Sequence, residues 1–391
     1  MSQFKPKRKF YASPTQRRSR AKSTIHPSKF VKDASPKQAS EYKAENDFSS
    51  FAIHPVLKNN IAAKGYTTPS EIQDKTIPHG LAGSDVIGIA NTGTGKTAAF
   101  ALPILNKLLH SGGQALIIAP TRELAIQIEE QCRLIAKNTG LSGALLIGGM
   151  PMSRQIRDIK NGARVIIGTP GRIKDHLQQR TLSLAACNMV VLDEVDRMLD
   201  MGFINDVSFI LGGMPASKQS FFFSATLSPQ INDLIQNFTN EPVTINVKVG
   251  ETSENVHQAV LHYSDKVDRL NKLHDLLIEP EVKKVLVFGE TKYGVERLGK
   301  ELIMRGFKAV SLHGGKNQGQ RKRALDSFRE DRTNILVATD VAARGIDVSG
   351  ITHVVNFDVP QTYEDYIHRI GRAGRAGEIG YAFTFVPNDY R

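Results

Sequence analysis

From Asp85 to Val386 one pattern recurs: a short, continuous apolar run rich in β-formers, then a stretch with helical spacing. The apolar runs are Val86–Ile89, Ala115–Ala119, Ala144–Ile147, Val165–Ile167, Met189–Leu192, Phe221–Phe223 and Val243–Val247, with helical segments such as Ala98–Leu109, Arg122–Ala136 and Ile231–Phe238 between them. Strands apolar at successive positions and separated by helices predict a parallel sheet covered on both faces. The pattern pauses at Val249–Asn255, which is polar and aperiodic and reads as a linker over 249–256. It then restarts, with strands expected at Val285–Phe288, Ala309–Leu312, Ile335–Ala338, Val354–Phe357 and Tyr381–Val386, and helices at Asp265–Leu277, Tyr293–Met304 and Gln318–Phe328. The expected architecture is therefore two α/β lobes, 48–248 and 257–391. Open parallel sheets bind ligands beyond the carboxyl ends of their strands, so the informative residues should follow each strand.

The first such segment is Ala90-Asn91-Thr92-Gly93-Thr94-Gly95-Lys96-Thr97, between a strand and a helix. A strand, a Gly-rich turn and a helix start aim unpaired N–H groups and a helix dipole at an anion. Gly93 and Gly95 let the backbone wrap a phosphate, with Thr92 and Thr94 beside them. Lys96 would neutralise the β/γ-phosphates, and the Thr97 hydroxyl would face Mg²⁺. Ala90 stands where this loop usually begins with Gly. The segment marks a nucleotide-binding protein, and only the first lobe carries it.

With 391 residues and 40% hydrophobic content the chain can bury large cores, and it has no apolar run long enough to span a bilayer. Cys132 and Cys187, both in apolar segments, cannot build a disulfide framework and fit a reduced, intracellular protein, with the cytoplasm as the expected compartment. The net charge of +12 is concentrated at the start: residues 1–47 hold twelve Lys or Arg against four acids, are Ser-rich and contain no Leu. Such a segment is expected to be disordered and to seek a polyanion, with a solubility tail and a transit peptide as the duller alternatives.

After the strand Met189–Leu192 comes Asp193-Glu194-Val195-Asp196. An acid at a strand end in a phosphate-loop lobe is the usual second Mg²⁺ anchor, the place of Asp193, and Glu194 is then placed to activate a water. The sequence here resembles the DEAD-box ATP-dependent RNA helicases, with Asp-Glu-Val-Asp for Asp-Glu-Ala-Asp. The resemblance runs from about Phe48 to the C-terminus and implies two tandem RecA-like lobes using ATP and Mg²⁺ and binding RNA. Phe48 with Gly65-Tyr66-Thr67-Thr68-Pro69-Ser70-Glu71-Ile72-Gln73 is similar to the adenine-reading motif, in which Gln73 reads the base edge and Phe48 offers a stacking face.

Further motifs follow in the family's order. Pro120-Thr121-Arg122-Glu123-Leu124-Ala125, Gly148-Gly149 and Thr169-Pro170-Gly171-Arg172 resemble segments that grip the RNA backbone. Ser224-Ala225-Thr226, with Asp196, resembles the link between nucleotide and RNA states. In the second lobe Phe288-Gly289-Glu290-Thr291, His313-Gly314, Gln320-Arg321-Lys322-Arg323 and Thr339 resemble RNA-binding motifs. Gly345 and Asp347 would meet the ribose. His368-Arg369-Ile370-Gly371-Arg372-Ala373-Gly374-Arg375 would present Arg372 and Arg375 to the γ-phosphate, with His368 beside them.

Three departures stand out. Asn91 replaces the commoner Gln, Val195 replaces Ala and Ala373 replaces Thr, none of them a charged catalytic position. The family also adds one or two helices after the last strand, so with the sequence closing at Arg391 the expectation is either that the chain is cut short or that this lobe has an exposed sheet face. The expected activity is RNA-dependent ATP hydrolysis with local duplex unwinding and weak sequence preference. An ATP-gated RNA clamp carries the same motifs, and a DNA translocase is the more distant alternative.

Overall fold

The computed structural model describes residues 25–35, 42–91, 93–247, 252–343, 348–374 and 378–390. In the first lobe the strands are β1 (Val86–Ala90), β2 (Gln114–Ile118), β3 (Gly143–Leu146), β4 (Val165–Gly168), β5 (Cys187–Leu192), β6 (Gln219–Ser224) and β7 (Val243–Val247). They pair in the order β3-β4-β2-β5-β6-β1-β7, parallel throughout. The second lobe contains β8 (Val256–Tyr263), β9 (Val285–Phe288), β10 (Ala309–Leu312), β11 (Ile335–Ala338), β12 (His353–Asn356) and β13 (Gly380–Pro387). Their order is β10-β11-β9-β12-β13-β8, again parallel.

The continuous apolar runs have the cause expected of them. Because strand side chains alternate faces, Val86, Ile117, Val191, Phe221 and Phe223 enter one core while Ile87, Leu116, Val190 and Phe222 enter the other. Helix Arg122–Ile135 shows how the covering layer forms. The Thr121 hydroxyl caps the Leu124 amide at 3.3 Å, and Leu124, Ala125, Ile128, Cys132 and Ile135 recur on one buried stripe.

Two expectations are corrected. The linker expected over 249–256 is shorter, because Thr252–Asn255 form a 3-10 turn and Val256 already opens β8. That strand escaped the sequence reading because it is a half-exposed edge, where His257, Gln258 and His262 interrupt its apolar residues. Part of the segment expected to be disordered is also ordered: Pro27–Phe30 form a 3-10 turn with Phe30 fully buried, and residues 42–46 bind the first lobe. An aromatic ring facing Tyr366 and four donors converging on Asp74 supply contacts that local composition does not reveal. Residues 1–24 and 36–41 lie outside the described residues. Of the sheet face expected to be exposed, Tyr381 is open at 37%, stacked between His257 and His353, while the opposite face is covered by Phe30, Tyr366 and Ile370.

Candidate active site

The carboxyl ends of the two sheets face each other. Glu123, just after β2, bonds Arg321, near the start of the helix after β10, at 2.6 Å. Arg197 of the first lobe and Phe288, Asp340, His368 and Arg372 of the second line one small cavity. A larger cavity of about 350 Å³ is lined by Tyr66, Gly95, Lys96, Asp193 and Glu194 together with Arg329 of the second lobe.

The phosphate loop leads from β1 into helix Lys96–Ser111. Gly95, the residue before it, adopts φ 95°, and a Cβ there would lie 2.4 Å from the Gln73 amide. Gln73 explains the closeness. Its Oε1 accepts from the Ser70 amide at 2.9 Å, its Nε2 donates to the Gly95 carbonyl at 3.1 Å, and the Ser70 hydroxyl donates to the Thr94 carbonyl at 2.7 Å. The helix start at residue 71 and the phosphate loop are thus locked together. Tyr66 lines the cavity, whereas Phe48 is 4% exposed and meets Tyr66 edge to face at 5.5 Å. The stacking face assigned to Phe48 is therefore spent inside the lobe.

Lys96 is buried, its Nζ 3.1 Å from the Ala90 carbonyl and 3.7 Å from Asp193 Oδ1. Asp193 Oδ1 is buried and accepts no hydrogen bond from the described residues. Burial raises its pKa to about 6 against the pull of Lys96. Thr97 and Asp193 line one cavity. Two hard oxygen donors suit Mg²⁺, which keeps waters and phosphate oxygens in its shell. The donor set fits that ion.

Glu194 sits in the left-handed region at φ 56°, where a non-glycine residue is held only by its surroundings. Arg197 donates to its Oε2 at 2.5 Å. Burial pushes the Glu194 carboxyl up, but Arg197, Lys96 and Arg372 together bring it below the usual carboxylate value. It is therefore an ionised acceptor at neutral pH. Next to it, Asp196 Oδ2 accepts from the amides of Ala225 and Thr226 at 2.9 and 3.1 Å, and the Ser224 hydroxyl donates to the Thr226 carbonyl at 2.7 Å. The three residues read as coupling elements are in direct contact.

Pro120, Thr121 and Arg122 follow β2, Gly149 follows β3, and Thr169, Gly171 and Arg172 follow β4. Gly149 has φ +83°, and a Cβ on it would come within 2.7 Å of the Arg122 guanidinium. Burial, then the like charges of Arg321 and Arg172, pull the Arg122 guanidinium below its ordinary value. Three arginines are thus gathered at the cleft. Arg172 is steadied by the Met150 carbonyl at 3.2 Å. In the second lobe Thr291 caps the helix after β9, Gly314 follows β10, Thr339 follows β11, and Arg323 is exposed. His368 lies in the last turn of helix Tyr363–Ile370, and the buried Arg372 follows that helix. Thr92, Gly345, Asp347 and Arg375 lie outside the described residues.

Sequence reasoning gave Arg197 no role and named Arg369 and Arg321 only as members of their motifs. Arg197 could have been found from its spacing to Glu194, three residues on in a helix. Arg369 forks onto Asp340 at 2.6 and 2.7 Å and donates to the Asp358 carbonyl at 2.7 Å, so it braces the loops while lining the small cavity beside Arg372. The partner of Arg321 lies 198 residues away, a distance over which sequence carries no local signal.

Residues 70–234 match the model of the DEAD/DEAH box helicase family, and residues 266–377 match the helicase conserved C-terminal domain. The chain belongs to the DEAD-box family. Among its relatives, the ATP-dependent RNA helicase CshA of Listeria monocytogenes is 45% identical over 344 residues, covering 87% of this chain. The chain spans 66% of the length of that relative. S. cerevisiae Dbp5 bound to RNA and ADP BeF3 is 31% identical, with a TM-score of 0.76 over 88% of this chain and 90% of that one. Mss116p bound to ssRNA and AMP-PNP is 28% identical, with a TM-score of 0.79 over 91% and 77%. The fits span both lobes, so this DEAD-box chain shares the two-lobed RecA-like architecture and not one half of it.

Proposed function

We propose that this protein is an RNA-stimulated ATPase that uses ATP-dependent closure of its two lobes to separate short RNA strands. The observation that carries this reading is the junction of Glu194 and Arg197 with Arg372 across the cleft, because it builds one site from two lobes. CshA is an RNA helicase by name, and Dbp5 was captured with RNA and a nucleotide analogue, which supports the same substrates here.

In this reading Gln73 and Tyr66 hold adenine, and the amides of 92–97 with Lys96 hold the phosphates. Thr97 and Asp193 would hold Mg²⁺, Asp193 through water, and the bound ion would supply charge neutralisation at the phosphates. Glu194, kept ionised by Arg197 and Lys96, orients a water and takes its proton. Arg372, with Arg375, stabilises the charge that develops on the transferred phosphoryl, and Gly345 and Asp347 serve the ribose. Pro120, Thr121, Arg122, Gly149, Thr169, Gly171 and Arg172 face the RNA backbone from one lobe, and Thr291, Gly314, Arg323 and Thr339 from the other. Contacts to phosphates and 2′-hydroxyls give weak sequence preference. Asp196, Ser224 and Thr226 link the two ligands. The basic residues of 1–24 add RNA affinity, and the two buried, unpaired cysteines suit the reducing cytoplasm.

The test is ATP turnover with and without single-stranded RNA, beside displacement of a short RNA strand. RNA-stimulated turnover with displacement is the expected result. Turnover without displacement would make the protein a clamp, and equal stimulation by DNA would overturn the choice of substrate.

A further inference from the structure

The segment before Phe48 touches both lobes. On the second lobe, the Lys32 amide donates to the Gln258 carbonyl at 3.1 Å and the Gln258 amide returns a bond to the Lys32 carbonyl at 2.8 Å. This adds an antiparallel bridge to the outer edge of β8. The Ala34 amide reaches His257 Nδ1 at 3.2 Å, and the Ser35 amide reaches the Glu254 carbonyl at 2.8 Å. Phe30 is fully buried, its ring 4.7 Å from that of Tyr366. On the first lobe, the buried Asp74 accepts from the Tyr42 hydroxyl at 2.6 Å, the Glu45 amide at 2.8 Å, and the backbone and side-chain nitrogens of Asn46 at 3.2 and 2.9 Å. Asp74 adjoins Gln73, which holds the phosphate loop through Gly95.

We propose that residues 25–35 and 42–47 are the two anchors of an interlobe tether, seated on the edge strand of one lobe and on the nucleotide-reading helix of the other. The tether is a second connection beside the linker after β7, continuous in backbone with the first lobe and seated on the second by noncovalent contacts. Seven Cα steps join Ser35 to Tyr42, a reach of at most about 25 Å at roughly 3.6 Å per residue. With both anchors seated the lobes cannot part further than that on this side. Wider opening must first release an anchor. The tether therefore raises the effective concentration of one lobe at the other. Its consequence for RNA affinity rests on the function proposed above, whereas its effect on lobe separation does not.

The experiment uses the full chain labelled at two exposed positions, K160C in the first lobe and K300C in the second. The natural cysteines are buried and do not compete. Single-molecule energy transfer reports the separation in the parent, in Phe30→Asp, and in a chain with about 24 Gly/Ser residues inserted between Ala39 and Ser40. The insertion keeps both anchors intact, so it separates tethering from any damage Phe30→Asp does to the second lobe. It makes the connection about 4.4-fold longer, and effective concentration falls roughly as the −3/2 power of length. Both variants should shift to larger separations. The insertion should raise the RNA concentration for half-saturation with a non-hydrolysable ATP analogue by up to about tenfold. Parental distance distributions in both variants would overturn the tether. A parent that binds no RNA would overturn the functional reading, while the distances would still judge the tether.

Discussion

Replacing Glu123 by Gln should weaken RNA binding at a distance from the nucleotide by loosening the junction of the lobes. Glu123 and Arg321 are among the most enclosed charges of the cleft, with side chains 4% and 6% exposed and 2.6 Å between Oε1 and Nε. Arg321 keeps its bond to the His313 carbonyl at 3.0 Å in its own lobe. Gln preserves the shape of Glu123 but removes the charge that balances the guanidinium. Stranding one member of a buried pair costs about 3–5 kcal/mol. Only the joined lobes contain this pair, because when they part both groups reach water. The cost therefore falls on closure and not on the folding of either lobe. At about 1.36 kcal/mol per tenfold, 3 kcal/mol is roughly 150-fold, and a residual amide bond lowers the expectation to the order of 10²-fold. Fluorescence anisotropy of a labelled single-stranded RNA with a non-hydrolysable ATP analogue reads it directly. The double variant Glu123→Gln with Arg321→Gln should lose less than the sum of the single variants, since neither leaves a stranded charge. Single variants within about threefold of the parent, or losses that simply add, would refute the argument.

The remaining expectations test the chemistry, the second-lobe core and the tail. Glu194→Gln should halt turnover while ATP and RNA stay bound, because an amide cannot take a proton; turnover at the parental rate would remove Glu194 as the base. Arg372→Ala should lower RNA-stimulated turnover by roughly 10³-fold with little change in the nucleotide affinity of the RNA-free protein, and equal loss of both would argue against a residue that engages on closure. His353 is enclosed by Tyr381 and Phe383, and burial lowers its pKa to about 4 from 6.5. The unfolded chain binds its proton first, so this contribution to stability is complete above pH 6.5 and declines as pH falls toward 4. Thermal melts of His353→Phe should show a shallower decline over that window than the parent, and parallel curves would exclude His353 as the cause. Deleting residues 1–24 should leave RNA-saturated turnover near the parental rate but flatten the salt dependence of RNA binding by a slope of about 0.7 per lost phosphate contact. Binding measured over a salt series checks this, and superimposable lines would show that the tail does not bind RNA.

The sequence alone determined the two lobes, because strands buried on both faces must be apolar at every position and parallel strands must alternate with helices. It also marked Lys96, Thr97, Asp193 and Glu194, since a phosphate loop and its acids are set by spacing within a few residues of a strand end. Likewise it brought Asp196 to Ser224 and Thr226, two strand ends that are neighbours in the sheet. What it did not carry were relations between distant segments. Phe48 has the residue type for base stacking, but only packing decides that its ring is spent against Tyr66. The half-polar β8 reads as coil until β13 pairs with it along its whole length. Residues 25–35 and 42–46 look disordered by composition, and their order comes from Tyr366, Gln258 and Asp74, partners remote in the chain. Glu123 and Arg321 are unremarkable charges until the lobes meet and water leaves them. Local chemistry is written in short spacings, whereas the energy of a contact across the cleft depends on which surfaces are brought together and how dry they become.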